Sequence, residues 1–416
     1  MFWLIASLAV AAPWIRDVVP GSGPHVDLVA HPPLGAEGSA PPDDSVTPHG
    51  GPVLWSYGYV QAAHADPTKV PFHALSHVAL FAARVDATGT LEATEQWARA
   101  EALVAAGRRY GVRVHLVVAC FEPAILDRLL GRSSARTNLI VALQRWLDRT
   151  GAHGVNLDFE GLPRSRRRAM FTFVRELEAA IDEVVVAVPA VDHWAAWDLQ
   201  GLSRHADLYV MAYDYHWADS SHAGPVDPLR AGPGTVWRDV NVWSITRTID
   251  DVLAAGADPA HLILGLPLYG RRWPVTGDRV PAPTTGRGQS VTFDEAWRTA
   301  RGRPRRVERD SVSRVVFDGD TQLWFGDEMT VRQRLREIRQ KTTWAGVGFW
   351  SLGYVSDPGF WRAIAEERRV TETRLPRDPA GRWISLAPFL MLLGGLLVAT
   401  STPWTRWYSG RRGETR

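Results

Sequence analysis

The sequence predicts an α/β fold, a closed (β/α)8 TIM barrel with a small α+β insertion after its seventh strand and a C-terminal transmembrane helix. Two observations carry the barrel. Eight short runs rich in Val, Ile, Leu and aromatic residues recur between residues 52 and 352, nearly continuous in apolar character, as strands buried on both faces are. Helix-like segments separate them, which makes the strands parallel, and eight such units close more readily into a barrel than they extend an open sheet.

The strands are read at 52–60, 75–85, 111–120, 154–160, 183–190, 208–215, 261–270 and 346–352. Helices are read at Ala93 to Arg109, Asn138 to Thr150, Arg166 to Ala180, Thr246 to Ala255 and Thr330 to Thr343, the last with Arg332, Arg334 and Arg336 on its polar side. Residues 274–327 do not pass directly from the seventh strand to a helix. They read as a helix with two or three antiparallel strands, an insertion into a barrel spanning 52–370.

The ends carry membrane signals. Residues 1–15 form a short apolar start with small residues at Ala9, Ala11 and Ala12, suited to a signal peptide or an N-terminal anchor. Residues 16–51 and 371–382 read as linkers. Trp383 to Thr405 is an uncharged stretch of 23 residues bordered by Arg382 and Arg406, long enough to span a bilayer, with a short basic tail at 406–416. One entry followed by one stop places the barrel on the extracytoplasmic side of a cell membrane.

Composition excludes several classes. A net charge of +2, with Lys and Arg spread along the chain, marks no nucleic-acid surface. A single cysteine, Cys120 in an apolar run, permits no internal disulfide and reads as a packed thiol. No His-Glu-x-x-His, cysteine pair or Gly-rich phosphate loop is present, so no cofactor and no metal is expected. The chain is read as a monomer.

The informative stretch is His153 to Pro163, HGVNLDFEGLP. Val155, Leu157 and Phe159 alternate with Asn156, Asp158 and Glu160, so three polar side chains share one strand face. That face points into the barrel mouth, where carboxylates are either hydrogen-bonded in a structural network or used chemically. Asp158 and Glu160 emerge about 7 Å apart, twice the rise per residue.

These residues resemble glycoside hydrolase family 18, the chitinase-like barrels, whose fourth strand carries D-G-x-D-x-D-x-E. Here that signature reads HGVNLDFE; Asp158 and Glu160 are kept, while His153 and Asn156 replace the first two acids. VMAYDYHW resembles the family's sixth-strand Met-x-Tyr-Asp motif, GLPLYGRRW its seventh strand and GVGFWSLGY its last, over roughly Val53 to Arg369. The Asn and the loop after the sixth strand look closer to the spore-cortex, peptidoglycan-type branch.

The resemblance implies roles. Glu160 is the general acid, Asp158 the group that holds the substrate acetamide, and Tyr213 the hydroxyl on the acetyl oxygen, in a retaining, substrate-assisted cleavage of β-1,4 bonds of N-acetylglucosamine glycans. Asp214 shares the cleft and Trp350 its floor. Tyr57, Phe81, Tyr269, Trp217 and Trp273 stand at strand ends as possible sugar-stacking or packing aromatics, and His216 and His222 lie in the loop that follows the sixth strand. Asn156 is expected to donate a hydrogen bond to Asp158 and leave it charged. The expected partner is a polysaccharide or oligosaccharide of peptidoglycan or chitin type. A chitinase-like lectin that binds such glycans without cutting them is the alternative.

Overall fold

The computed structural model describes residues 55–374, apart from 93–96, 241 and 342–343. Eight parallel strands form the centre: β1 (Trp55–Gln61), β2 (His77–Val85), β3 (Arg113–Cys120), β4 (Gly154–Phe159), β5 (Val184–Pro189), β6 (Asp207–Met211), β7 (Leu262–Pro267) and β8 (Gly346–Trp350). Each pairs with the next, and β8 pairs back to β1 through Trp55↔Gly346 to Gly58↔Phe349, which closes the barrel. The eight runs expected from the sequence are these eight strands.

The helices bury one stripe each. On α1 (Ala100–Arg108) it is Ala100, Leu103, Val104 and Gly107; two further helices, α2 (Pro123–Gly131) and α3 (Ser133–Thr150), fill the return from β3 to β4. On α4 (Arg167–Glu178) the stripe is Met170, Phe173, Val174 and Leu177, the i, i+3, i+4, i+7 spacing of a helix face against a sheet. The ring is continued by α5 (Ile245–Ala254), α7 (Glu328–Lys341) and α8 (Pro358–Arg374), while α6 (Phe293–Ala300) belongs to the insertion. Of these, α2 and α8 go beyond the helices expected.

The insertion starts earlier than expected and has more strands. Its antiparallel sheet orders Gln289–Thr292, Tyr269–Pro274, Thr321–Phe325, Ser313–Asp318 and Arg305–Glu308, with α6 opened by a reciprocal Thr292–Glu295 cap. Trp237, Trp273 and Trp324 form its core, so Trp273 packs the insertion and does not face a sugar.

The reading of α7 needs correction at Arg334. That guanidinium is fully buried and pairs with the buried Asp227, also donating to the Asp227 carbonyl at 3.1 Å. A buried cation keeps its charge only with such a partner, and that partner lies far away in sequence. Arg332 and Arg336 meet Glu367 of α8 instead.

The apolar segments 1–15 and 383–405, the linker 16–51 and the tail 406–416 lie outside the described residues. The second linker, 371–382, is described only to Arg374, where it continues α8. No helix among the described residues is long and apolar enough to cross a membrane.

Candidate active site

Strand β4 aims its two faces as the alternation requires. Phe159 turns outward, its ring parallel to that of Phe173 on α4 at 6.2 Å, which leaves Asn156 and Asp158 facing the barrel axis. The strand ends one residue before Glu160, whose amide donates to the Cys120 carbonyl at 3.0 Å. Gly161 then takes a φ of +71°, a left-handed turn open to glycine, and lifts the chain off the barrel rim. Glu160 therefore stands at the mouth with Asp158 one pleat below it.

Burial dominates the electrostatics of this pair. Asp158 is 4% exposed and its Oδ1 has no hydrogen-bond partner, and burial pushes its carboxyl up to about 7. Burial also raises Glu160 well above the usual glutamate range, with the charges of Asp158 and Asp214 adding to the effect. A carboxyl that keeps its proton at neutral pH is what a general acid requires.

The structure corrects the role expected of Asn156. Its amide donates from Nδ2 to the Tyr57 hydroxyl at 3.1 Å and the Tyr59 hydroxyl at 2.8 Å, not to Asp158. Tyr57 is corrected too. It is the third residue of a seven-residue strand, fully buried beneath the carboxylates, and its hydroxyl lies 3.2 Å from His115 Nδ1. It supports the site from below and has no face open to a sugar.

The opposite wall comes from the turns after β6 and β7. Tyr213 lies two residues past β6, its amide donating to the Met211 carbonyl, and its ring meets Tyr269 edge-on at 6.3 Å. Asp214 has a φ of +58° and sits 3.4 Å from Arg271 Nη2, both side chains at most 4% exposed. Asp214 and Asp158 act on Glu160, and Asp214 acts on Tyr269, so these groups share one electrostatic site.

Arg271 escaped the sequence reading. Tyr269 and Arg271 are two apart on a strand and hence on one face, and that spacing was the available signal. Gly270 between them has no room for a Cβ, which would lie 2.3 Å from the Trp324 carbonyl oxygen.

Trp350 closes β8 as a buried floor, with its ring 5.3 Å from Tyr59 and 4.8 Å from Phe81. Phe81 is paired with Gln61 at the end of β1 and touches the site through that contact with Trp350. Trp217 is half-buried in the loop beyond Asp214. His216 is buried, its Nδ1 hydrogen-bonded to the Pro225 carbonyl at 2.8 Å, and so faces no substrate; His222 is half-buried nearby.

At the closed end of the barrel His77, His115 and Glu183 bring potential metal-ligating atoms within 4.8 Å of one another. Both oxygens of Glu183 are already engaged there, by Arg113 and His115. Cys120 is buried and its thiol is pushed up to about 12, an inert packed group.

Comparison with known proteins places this geometry in context. Residues 56–354 match the model of glycosyl hydrolases family 18. The chain is 26% identical over 258 residues to the putative sporulation-specific glycosylase YdhD of Bacillus subtilis, covering 58% of this chain and 56% of that protein. It is 22% identical over 269 residues to the uncharacterized glycosylase YvbX of the same organism, over 59% of this chain and 70% of the relative. The fold superposes on a family 18 chitinase from Cycas revoluta solved with (GlcNAc)4 with a TM-score of 0.68, at 22% identity and covering 75% of this chain and 99% of the other. A family 18 N-acetylglucosaminidase from Paenibacillus barengoltzii gives a TM-score of 0.67 at 19% identity, covering 76% and 99%. With the family model matched over residues 56–354, most of the chain, and with the closed barrel behind it, the chain belongs to glycosyl hydrolase family 18.

Proposed function

We propose that the protein is a retaining glycosidase that cleaves β-1,4 bonds next to N-acetylglucosamine by a substrate-assisted route, on a peptidoglycan-type or chitin-type glycan. The observation that carries this reading is the pair of acids at the mouth, half-buried Glu160 above buried Asp158, both raised by burial toward the protonated form. Glu160 protonates the glycosidic oxygen as the bond breaks. The substrate's own acetyl oxygen closes on the anomeric carbon, so no enzyme nucleophile is needed.

Asp158 in its ionised form accepts the acetamide N–H and stabilises the positive charge of the cyclised intermediate. Glu160, now ionised, takes a proton from the water that opens that intermediate, and two inversions leave the configuration retained. Tyr213 holds the acetyl oxygen, Asp214 and Tyr269 line the wall, and Trp350 supports the sugar from below. The uncharged stretch 383–405 tethers the barrel to the outer face of a membrane.

Release of reducing ends from N-acetylglucosamine oligomers and from purified peptidoglycan by the full chain, beside Glu160→Gln, tests the reading. Release by the parent and none by the variant is the expected result. Binding by both with cleavage by neither would refute it in favour of a lectin.

A further inference from the structure

The hydrogen bonds beneath the carboxylates continue through the barrel to its far end. Glu183, just before β5, is ion-paired with Arg113, whose Nε lies 2.5 Å away, and accepts from His115 Nε2 at 2.8 Å, and its side chain is 24% exposed. His115, Tyr57 and Asn156 above it are all fully buried. A continuous line of side chains thus joins the closed end of the barrel to the catalytic strand.

The direction of each bond follows from valence. Burial opposes the ionised form of Glu183, but His115 and Arg113 together outweigh it and hold the carboxyl below the usual range. A carboxylate only accepts, so His115 carries a proton on Nε2, and in the neutral imidazole Nδ1 is then the acceptor. The Tyr57 hydroxyl must then donate to Nδ1, at 3.2 Å, which leaves its oxygen free only to accept. The Asn156 amide answers by presenting Nδ2 to Tyr57 and Tyr59.

The other end of that amide is thereby fixed. Asn156 Oδ1 is buried without a donor, and Asp158 Oδ1, two residues along the same inward face, is buried without a partner as well. Two buried acceptors on one inward face can satisfy each other only if a proton lies between them, and an unmade bond at either costs the full desolvation of that group. The proton belongs on the carboxyl.

We propose that Glu183, His115 and Tyr57 are positioning residues, a one-way hydrogen-bond relay that turns the carbonyl end of Asn156 toward Asp158 and keeps Asp158 protonated in the free enzyme. Around Asp158 stand Glu160 on its own strand, on which Asp158 and Asp214 both act, and the hydroxyls of Tyr59, Tyr209 and Tyr213. Around His115 lie Arg113, His77, His153 and Glu183, and Asp207 acts on Tyr57. Consequences for turnover rest on the proposed roles of Glu160 and Asp158; the order of the hydrogen bonds does not.

The test follows the Asp158 carboxyl carbon by 13C NMR across pH in the full chain carrying Glu160→Gln, assigned by its loss in Asp158→Asn. Tyr57→Phe removes one of the two hydroxyls that hold the Asn156 N–H groups, so that the amide can turn toward Asp158 at the loss of its remaining bond to Tyr59. Glu183→Gln removes the carboxylate that fixes the proton on His115 Nε2 and lets an amide N–H donate there instead, so the relay loses its imposed direction. Each is expected to move the midpoint of Asp158 down by about one pH unit or more, the worth of one hydrogen bond to a charged carboxylate. In the chain with Glu160 intact, the acid limb of kcat/KM should move the same way.

Unchanged midpoints in both variants, with only lower stability, would overturn the relay, and agreement at Glu183→Gln alone sustains it if Tyr57→Phe does not fold. The titration needs no turnover, so a chain that cleaves nothing leaves this outcome readable.

Discussion

Replacing Asp158 by Asn should make the protein more stable, and increasingly so as the pH rises. Burial moves the Asp158 carboxyl from the ordinary aspartate value of 3.8 to about 7 in the fold. Below pH 4 the carboxyl is protonated in both folded and unfolded chains, and the site contributes nothing pH-dependent. Between about 4 and 7 the unfolded chain ionises first, so stability falls with pH. Above 7 the loss is complete, and a displacement of roughly three pH units corresponds to about 4 kcal/mol at 1.36 kcal/mol per unit. The uncharged amide of Asp158→Asn has the same shape and escapes this cost. It also removes the charge that helps raise Glu160, which adds stability in the same direction. Denaturant unfolding of the full chain and the variant at pH 4, 5.5 and 8 reads the difference. The two should be close at pH 4 and separate by a few kcal/mol at pH 8, while the variant loses most of its glycan cleavage. A pH-independent gap, or a parent more stable than the variant at pH 8, would refute the claim that the fold strains against the ionised carboxyl.

Other perturbations follow from the same contacts. Arg271→Met strands Asp214 as a buried unpaired charge and should cost about 3–5 kcal/mol, read by denaturant unfolding, whereas Arg271→Met with Asp214→Leu should recover much of it. Arg334→Met should behave likewise against Asp227 in the insertion-facing part of α7, and a mild effect on stability would show that the pair is solvated. Gly348→Ala places a Cβ 2.2 Å from the Tyr209 ring inside the barrel and should destabilise by about 1–3 kcal/mol or prevent folding, measured as thermal midpoint or soluble yield.

How far the sequence could be read depended on where each signal resides. The barrel strands were legible because a strand buried on both faces must be apolar along its length, and that is a local property of residues 154–159 or 262–267. Glu160 and Asp158 were legible for the opposite reason, as acids on one face of such a run. The insertion's first strand, Tyr269–Pro274, was not separated from the seventh barrel strand, which was read through residue 270 as one apolar run; Arg271 is buried on it, and only the fold brings Asp214 to it across 57 positions. Arg334 was misassigned on the same ground, since its counter-charge lies 107 positions away.

His115 shows the limit most clearly. In the sequence it is one polar residue in the apolar run RVHLVVAC, with no neighbour to suggest a use. Its inward position on β3 follows from strand alternation, but its partners Tyr57 and Glu183 stand 58 positions before it and 68 after. Closure of the barrel brings the three together and gives their hydrogen bonds a single permitted direction. The Asn at 156 then acquires its meaning from that direction. With its N–H groups committed downward it offers the carboxyl above only an acceptor, which favours the protonated acid. The replacement of an acid by an amide at this position thus changes how the site is charged, while Asp158 and Glu160, the pair proposed to perform the chemistry, stay in place.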